Sequence, residues 1–171
     1  ALSVTGITTL GALGSSVITS GTSVATTSGT SIDITGIPTW VKRITVMFNG
    51  VGSTTGASQH QLQIGSGSID ATSYVAQATQ VTTSTVTGVA STTGFPVIGS
   101  VPGASLYSGF VTLVLISGAT WLEGGVVYLS NATTQQSAGK KTLSGVLDRI
   151  RLTSISGTET FNAGSINILY E

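Results

Sequence analysis

The side chains in this sequence that could take part in acid–base chemistry are few. One histidine, His60, and six carboxylates occur among 171 residues, and there is no cysteine. His60 could serve as a general base, but it lies among glutamines and its nearest acidic neighbour in the sequence is Asp70. We therefore predict that His60 is a structural residue on one face of a strand.

A pair of carboxylates could flank a glycosidic bond, because the two groups of a glycosidase need not be close in sequence. No local signature distinguishes any pair among the candidates. The stretch 65–68, Gly-Ser-Gly-Ser, lacks the helix and the lysine that a phosphate loop requires, and it is predicted to be a turn. No catalytic, cofactor-binding or metal-binding residue is assigned, and the chain is predicted not to be an enzyme. The carboxylates considered are Asp33, Asp70, Glu123, Asp148 and Glu159.

Charge is scarce and balanced in this chain. Six Lys and Arg residues match six Asp and Glu residues, together 7% of the sequence, and the mean hydropathy is +0.42. No basic run exceeds Lys140-Lys141, so the footprint of a protein that binds nucleic acid or an anionic membrane is lacking. No apolar run approaches the roughly 18 residues of a spanning helix, so membrane insertion is not expected. Because soluble monomers usually carry more surface charge, we predict a homo-oligomer.

Most of the sequence is typical of antiparallel strands. Val, Ile and Thr are stiff at χ1 and favour strands, and they recur in short runs separated by turn pairs such as Asn49-Gly50 and Ser117-Gly118. Helical periodicity is absent over any stretch of ten residues. We predict an all-β fold, an antiparallel β-sandwich or jelly-roll-like head with nine or ten strands. The predicted strands are 31–35, 41–49, 59–65, 73–79, 81–87, 106–117, 121–131, 141–155 and 165–170.

Residues 1–30 differ from the rest, because they carry no charge and their apolar residues are spaced by Gly, Ser and Thr. Such a segment cannot bury enough of itself to be stable alone. We predict an extended N-terminal β segment, a stalk or attachment segment that pairs with neighbouring chains. The head domain is predicted to span 31–171.

Alternation within two stretches predicts which strand faces are buried. In residues 59–64, His60, Leu62 and Ile64 share one face and three glutamines share the other, which is expected to point outward. Residues 110–116 form a nearly continuous apolar run, as expected of a central strand covered on both faces in the core or at a subunit interface. Loops at 50–58, 89–94, 99–105 and 132–139 are candidates for receptor contacts, but no receptor-binding residue is assigned.

Alternation also predicts a buried charge. If Val146, Asp148 and Ile150 share a buried face, Asp148 requires a cation, for which Lys42 and Arg43 are the candidates. The larger aromatic side chains could form a platform for a sugar, but near strand ends they more often complete a core, which is the predicted role here. These residues are Trp40, Trp121, Tyr74, Tyr107, Tyr128 and Tyr170.

Two segments resemble a known family. Residues 34–51, ITGIPTWVKRITVMFNGV, resemble a segment common in phage tail-fibre and related virion surface proteins. Residues 143–152, LSGVLDRIRL, and 161–171, FNAGSINILYE, are similar to the C-terminus of the same family. The resemblance implies a β-sandwich head, usually trimeric, mounted on a thin β-structured stalk at the surface of the particle.

The leading interpretation is a non-enzymatic structural protein of a virion, a trimeric tail-fibre or receptor-binding head that mediates host attachment. One alternative is a capsid decoration protein, either a cement or a head fibre, and another is a module that binds or acts on carbohydrate. The expected partners are further copies of the chain, other virion proteins that contact the N-terminal segment, and a glycan or protein of the host surface. No cofactor is expected.

Overall fold

The computed structural model describes residues 18–54, 58–101 and 105–171, and every helix or strand assigned in these ranges is a β-strand. Within them, no helix is long and apolar enough to cross a membrane. The predicted all-β class is confirmed. In chain order the strands are β1 (Thr19–Ser20), β2 (Val24–Ala25), β3 (Ser31–Thr35), β4 (Arg43–Ser53), β5 (Ser58–Ser66), β6 (Ser68–Asp70), β7 (Val75–Val81), β8 (Val86–Ser91), β9 (Phe95–Val101), β10 (Tyr107–Ser117), β11 (Thr120–Leu129), β12 (Thr133–Thr142), β13 (Arg149–Ser154) and β14 (Phe161–Tyr170).

The strands form two antiparallel sheets that contribute to one hydrophobic core. In the larger sheet the order is β1-β14-β4-β10-β11-β12-β7-β8, and β2 also pairs with β14. In the smaller sheet the order is β3-β13-β5-β6, and β9 pairs with β5. This arrangement is consistent with the predicted β-sandwich, while jelly-roll connectivity stays a prediction.

Period-two alternation produces the core. Ile44 and Leu113 are fully buried from the larger sheet, and Leu62 and Ile150 are fully buried from the smaller sheet. Cross-strand register aligns them, because Leu113 of β10 lies opposite Ile44 of β4, and Ile150 of β13 lies opposite Ile64 of β5. Each strand therefore commits alternate side chains to the core and leaves the others on its outer face.

The strand predictions were wrong in the second half of the chain. Residues 132–139 were expected to form a loop, but Thr133–Thr142 is β12, which pairs with β11 on one side and β7 on the other. Hydrogen bonding to both neighbours outweighs the weak strand preference of its Gln, Ala, Gly and Lys residues. Residues 141–155 were expected to form one strand, but β12 ends at Thr142 and β13 begins at Arg149. The described ranges contain fourteen strands, more than the nine or ten expected.

The glutamine face of β5 points away from the core, but it is covered and not exposed to solvent as expected. Gln61 and Gln63 are 2% and 6% exposed, because the connection between β8 and β9 covers them. Thr93 makes the covering contacts: its Oγ1 donates to Gln61 Oε1 at 2.9 Å, and its carbonyl oxygen accepts from Gln63 Nε2 at 2.9 Å. Local alternation was read correctly, but a segment distant in sequence buries the polar face.

The predicted stalk lies partly outside the described residues, and its division from the head at residue 30 stays a prediction. The described part of residues 1–30 pairs with the last strand of the chain. Thr19 and Ser20 of β1 lie opposite Tyr170 and Leu169, and the Thr26 hydroxyl donates to the carbonyl oxygen of Ala163 at 2.6 Å.

A buried lysine connects the two sheets. Lys141 of β12 is 2% exposed, and its Nζ lies 2.6 Å from Asp70 Oδ2, donates to the Thr72 carbonyl oxygen at 2.6 Å and lies 5.0 Å from the Tyr74 ring centroid. Burial acts to raise the pKa of Asp70, but the hydrogen bonds from Lys141 and Thr72 outweigh it, so that the pKa lies below its ordinary value. The ammonium is therefore compensated by a carboxylate, a carbonyl and an aromatic face.

We expect Asp70→Asn to destabilise the fold more than Lys141→Met does. The first variant leaves a buried ammonium without its counter-ion and should lower the free energy of unfolding by about 2–3 kcal/mol, less than for a fully buried pair because Asp70 is 33% exposed. The second leaves a carboxylate that water can reach, and should cost about 1 kcal/mol. Urea unfolding at pH 7 measures both, and the reverse order would show that the ion pair does not govern this contact.

Candidate functional site

The outer face of the larger sheet carries a stripe of exposed apolar side chains along its two central strands. Phe110 of β10 lies opposite Val126 of β11, and Val114 lies opposite Leu122. Thr112 and Gly124 form the pair between these rows. We define the central stripe as Phe110, Val114, Ile116, Leu122, Val126 and Tyr128, which are 41–56% exposed.

The central stripe lies at the upper end of the range for the largest apolar patch of a monomeric protein. At about 200 Å² for a fully exposed large side chain, the exposed fractions correspond to roughly 500–600 Å² of side-chain surface. The largest apolar patch of a typical monomer is about 300–600 Å². Further apolar side chains on the same face, Val75, Val81 and Val86, are 40–69% exposed near β7 and β8. Such a surface is typical of one that another protein covers.

The same face is almost free of charge. By register, its strands present Arg43 on β4 and Lys140 on β12, in one row with Val114 and Leu122, and no carboxylate within the described strands. Arg43 forms an ion pair with Glu171, which follows the last strand. The remaining positions of the face are mainly Thr, Ser, Gln, Asn, Gly and apolar residues.

The smaller sheet differs, because ion pairs line its outer side. Arg151 of β13 and Asp33 of β3 lie opposite each other, and Arg151 Nε and a terminal nitrogen each donate to a carboxylate oxygen of Asp33 at 2.7 Å. Two-point contacts of this kind tolerate water better than single ones, since their geometry is fixed. The two sheets of the sandwich therefore present chemically different outer surfaces.

The prediction for Asp148 was wrong. Asp148 precedes β13 and its side chain is 36% exposed, with Arg149 Nε donating to it at 2.7 Å and the Gly67 N–H at 3.1 Å. Arg43 pairs with Glu171 instead. Residues 143–148 are not in a strand, so period-two alternation does not apply to them, and Val146 is 54% exposed. The hydrogen bond from Arg149 lowers the pKa of Asp148, with the Gly67 N–H acting in the same direction against a smaller effect of burial.

His60 lies in the core, as its alternation predicted. Its Nδ1 is 3.2 Å from the Tyr107 hydroxyl, and its ring meets Phe161 edge-on at a centroid distance of 5.1 Å. Burial lowers the pKa of His60 to about 4, so the ring is neutral at pH 7. Its Nε2 is buried without a hydrogen-bond partner among the described residues.

The five carboxylates considered for catalysis are distributed over different elements. Asp33, Asp70 and Asp148 pair with Arg151, Lys141 and Arg149. Glu159 lies in the connection between β13 and β14. The described residues contain no group of three or more His, Asp or Glu side chains that could hold a metal ion.

Glu123 is the one of these carboxylates that faces the core. It is 5% exposed on the inner face of β11, where its Oε1 accepts from the Ser137 hydroxyl at 2.6 Å and its Oε2 has no partner among the described residues. Burial raises the pKa of Glu123 to about 7, although the Ser137 hydrogen bond opposes the shift. Between about pH 4 and pH 7 the folded chain therefore holds both Glu123 and His60 largely uncharged.

The aromatic residues divide between core and surface. Trp121, Tyr74 and Tyr107 are buried, as predicted. Trp40 and Tyr128 were also expected to complete the core, but they are 48% and 53% exposed. Tyr128 belongs to the central stripe, because it points outward from β11. Trp40 precedes β4, where no strand neighbour covers it, and its ring contacts that of Tyr170 at a centroid distance of 5.7 Å.

Comparisons with models of protein families, with curated proteins and with solved structures found no match to the chain. The site is therefore interpreted from its own geometry. Sequence reasoning marked residues 110–116 as core or interface, but it expected cover on both faces, whereas their outward side chains are exposed in the single chain. It did not single out Leu122 and Val126, and it expected Tyr128 to complete the core. Their period-two spacing with Gly124 was the available signal.

The candidate receptor loops were predicted wrongly in part. Residues 89–91 end β8, and the rest of 89–94 contacts Gln61 and Gln63. In the loops at 50–58 and 99–105, which include residues outside the described ranges, residues 50–53 end β4, residue 58 begins β5 and residues 99–101 end β9, while 132–139 is largely β12. No described contact assigns a receptor to any of them.

His60 and Glu123, the two neutral titratable groups in the core, are expected to change the stability of the fold with pH in opposite directions. The pKa of His60 is near 6.5 in the unfolded chain and about 4 in the folded chain. Its favourable contribution to the free energy of unfolding is therefore complete above pH 6.5 and is lost as pH falls. The pKa of Glu123 is near 4.5 in the unfolded chain and about 7 in the folded chain. Its favourable contribution to the free energy of unfolding is therefore complete below pH 4.5 and is lost as pH rises. Between pH 4.5 and 6.5 the two effects largely cancel.

We therefore expect that replacing one of the two groups will reveal the pH dependence of stability that the other group causes. Relative to wild type, Glu123→Gln should gain stability as pH rises from 4.5 to 6.5, and His60→Gln should lose it, each by about 1.4 kcal/mol per pH unit. Urea unfolding at fixed protein concentration measures the differences, and titrations common to all variants cancel. Two variants that both follow the wild-type profile would contradict the neutral states of His60 and Glu123.

Proposed function

We propose that the chain is a non-enzymatic structural protein of a virus particle, the head of a trimeric phage tail fibre that attaches the particle to its host. The observation that carries the proposal is the exposed and nearly uncharged outer face of the larger sheet. A surface of this kind suits permanent association with further copies of the chain. The resemblance of residues 34–51 and 143–171 to phage tail-fibre proteins supplies the context of a virion.

The rest of the molecule meets the physical demands of this role. A fibre head must fold rigidly, associate through an apolar face, and present several copies of a weak binding surface so that their contacts combine. The described residues form one hydrophobic core, and the paired charges on the smaller sheet suit a surface that faces solvent. No step of chemistry is required of His60 or of the carboxylates.

A capsid decoration protein has the same physical demands and differs in its place on the particle. A gold-coupled antibody raised against the purified chain would locate the protein on virus particles whose genome encodes it. We expect label at the tips of tail fibres, with particles from a strain lacking the gene as control. Label confined to the capsid would replace the proposal with the decoration function, and unlabelled intact particles would refute both.

One observation favours the carbohydrate-binding alternative as an activity of the same head. Trp40 is exposed just before β4, and its ring contacts that of Tyr170. An exposed aromatic ring can hold a sugar ring, with the apolar face of the sugar on the indole. A glycan of the host surface is the ligand this corner would accept.

We expect Trp40→Ala to abolish retention of the head on a glycan array, while Trp40→Phe, which keeps a ring, should retain part of it. Loss of about 1–3 kcal/mol of stacking corresponds to roughly a 5- to 150-fold weaker affinity per site. Circular dichroism confirms that both variants are folded. A wild-type chain that binds no glycan, or an alanine variant that binds as well as wild type, would eliminate this candidate site.

A further inference from the structure

We propose that three copies of the chain pack their larger sheets around a three-fold axis, with the central stripes meeting on that axis. The inference rests on the proposed trimeric function and deepens it by naming the surface and its occupant. That occupant is the same stripe of two further copies. Three observations carry it: the position of the stripe in the sheet, its lack of charge, and an unexplained glycine at its centre.

The stripe lies in the middle of its sheet. Strands β10 and β11 are the fourth and fifth in an order of eight, with β4 and β12 on either side. A sheet that faces a three-fold axis presents its middle strands to the axis and its flanks to the neighbouring copies. The flanks here carry smaller or polar residues such as Thr45, Gln136 and Ala138, which suit the partly hydrated rim of an interface.

Charge limits what can meet on such an axis. Identical side chains approach one another there, so a charged residue would face two copies of its own charge and be repelled. None of the six residues of the central stripe is charged, and Thr112 and Gly124 between them are neutral. The two cations of the face, Arg43 and Lys140, lie on the flanking strands. This distribution of charge suits a surface that packs against the same surface of other copies.

Gly124 is not explained by the structure of the single chain. It lies in the interior of β11 with a φ outside the left-handed region, and the nearest atom to a Cβ at this position would be the Ser137 carbonyl oxygen at 3.9 Å. In contrast, a Cβ at the adjacent Gly125 would lie 2.4 Å from a methyl carbon of Val111. A glycine inside a strand weakens it and often marks the close approach of another chain. Gly124 leaves a depression at the centre of the stripe into which a second copy can pack.

The area of the central stripe and its flanks is also sufficient for a stable interface. A standard interface buries about 800 Å² on each partner. The roughly 500–600 Å² of the stripe, together with its flanking Thr, Met, Gln and Ala positions, reaches that size. A lone chain would leave this surface in water.

The sequence has no cysteine, so a single introduced thiol reports the contact. In the 171-residue chain, Val126→Cys treated with a short bis-maleimide should give covalent dimers, since equivalent residues meet at the axis. Thr79→Cys on the same face is the control. It lies two strands from β11, about 10 Å away, so its equivalents are on the order of 20 Å apart across the axis, beyond the reach of a short bis-maleimide.

Measuring the mass of the assembly by light scattering shows whether the oligomer itself or only the three-fold arrangement is wrong. A wild-type chain that is monomeric at micromolar concentration would overturn both this inference and the oligomer on which the proposed function rests. A trimer whose Val126→Cys variant assembles but forms no covalent dimer would refute the three-fold arrangement alone, because another surface would then make the contact.

Gly124→Val gives an independent test that does not depend on cross-linking. The added side chain should leave the single chain folded, since no described atom lies closer than 3.9 Å to the new Cβ, and should weaken trimer association at least about tenfold. Gly88→Val on β8, where a Cβ has a single neighbour at 3.4 Å, is the matched control and should assemble like wild type. A Gly124→Val trimer as tight as wild type would contradict close approach at the stripe.

Discussion

The antiparallel pairing of β10 with β11 is the interaction on which the architecture depends. One hairpin supplies the two middle strands of the larger sheet, and its register assigns every side chain to one of two environments. Leu113 and Val127 point into the core, whereas Phe110 and Val126 point away from it. A slip of one residue would exchange the two sets and place Gly124 inside. The same pairing therefore determines both the core and the candidate interface.

Most charges in the described residues are paired, or are kept neutral by burial. Inside the sandwich, Lys141 is matched by Asp70, while His60 and Glu123 remain neutral over part of the pH range because burial disfavours their charged forms. Outside, the ion pairs of Arg149 and Arg151 line the smaller sheet. The low charge content of the sequence thus reflects two buried faces, one already in the core and one that association would bury.

The sequence predicted elements whose pattern is local and failed where distant segments decide. Strand β3 has the predicted bounds, because its alternation and flanking turn residues are sufficient to define it. Strand β12 was missed because its composition favours a loop and its stability comes from β11 and β7. The burial of Gln61 depends on Thr93, about thirty residues away in the chain. The stripe could have been found in part, because alternation in β11 shows Leu122, Val126 and Tyr128 on one face. Only the sheet order and the exposures show that no described element covers that face.

A three-fold arrangement would have a consequence for attachment that a single head lacks. Equivalent ends of the three sandwiches point in the same direction along the axis, so three copies of the corner formed by Trp40 and Tyr170 would be presented together. A contact that is weak in one copy becomes an intramolecular event once a neighbouring copy is bound, and the effective concentration of the second and third sites raises the total affinity. The apolar stripe and the exposed tryptophan then have complementary roles. In this arrangement the stripe would set the number and orientation of the heads, and each head would contribute one modest contact to the sum.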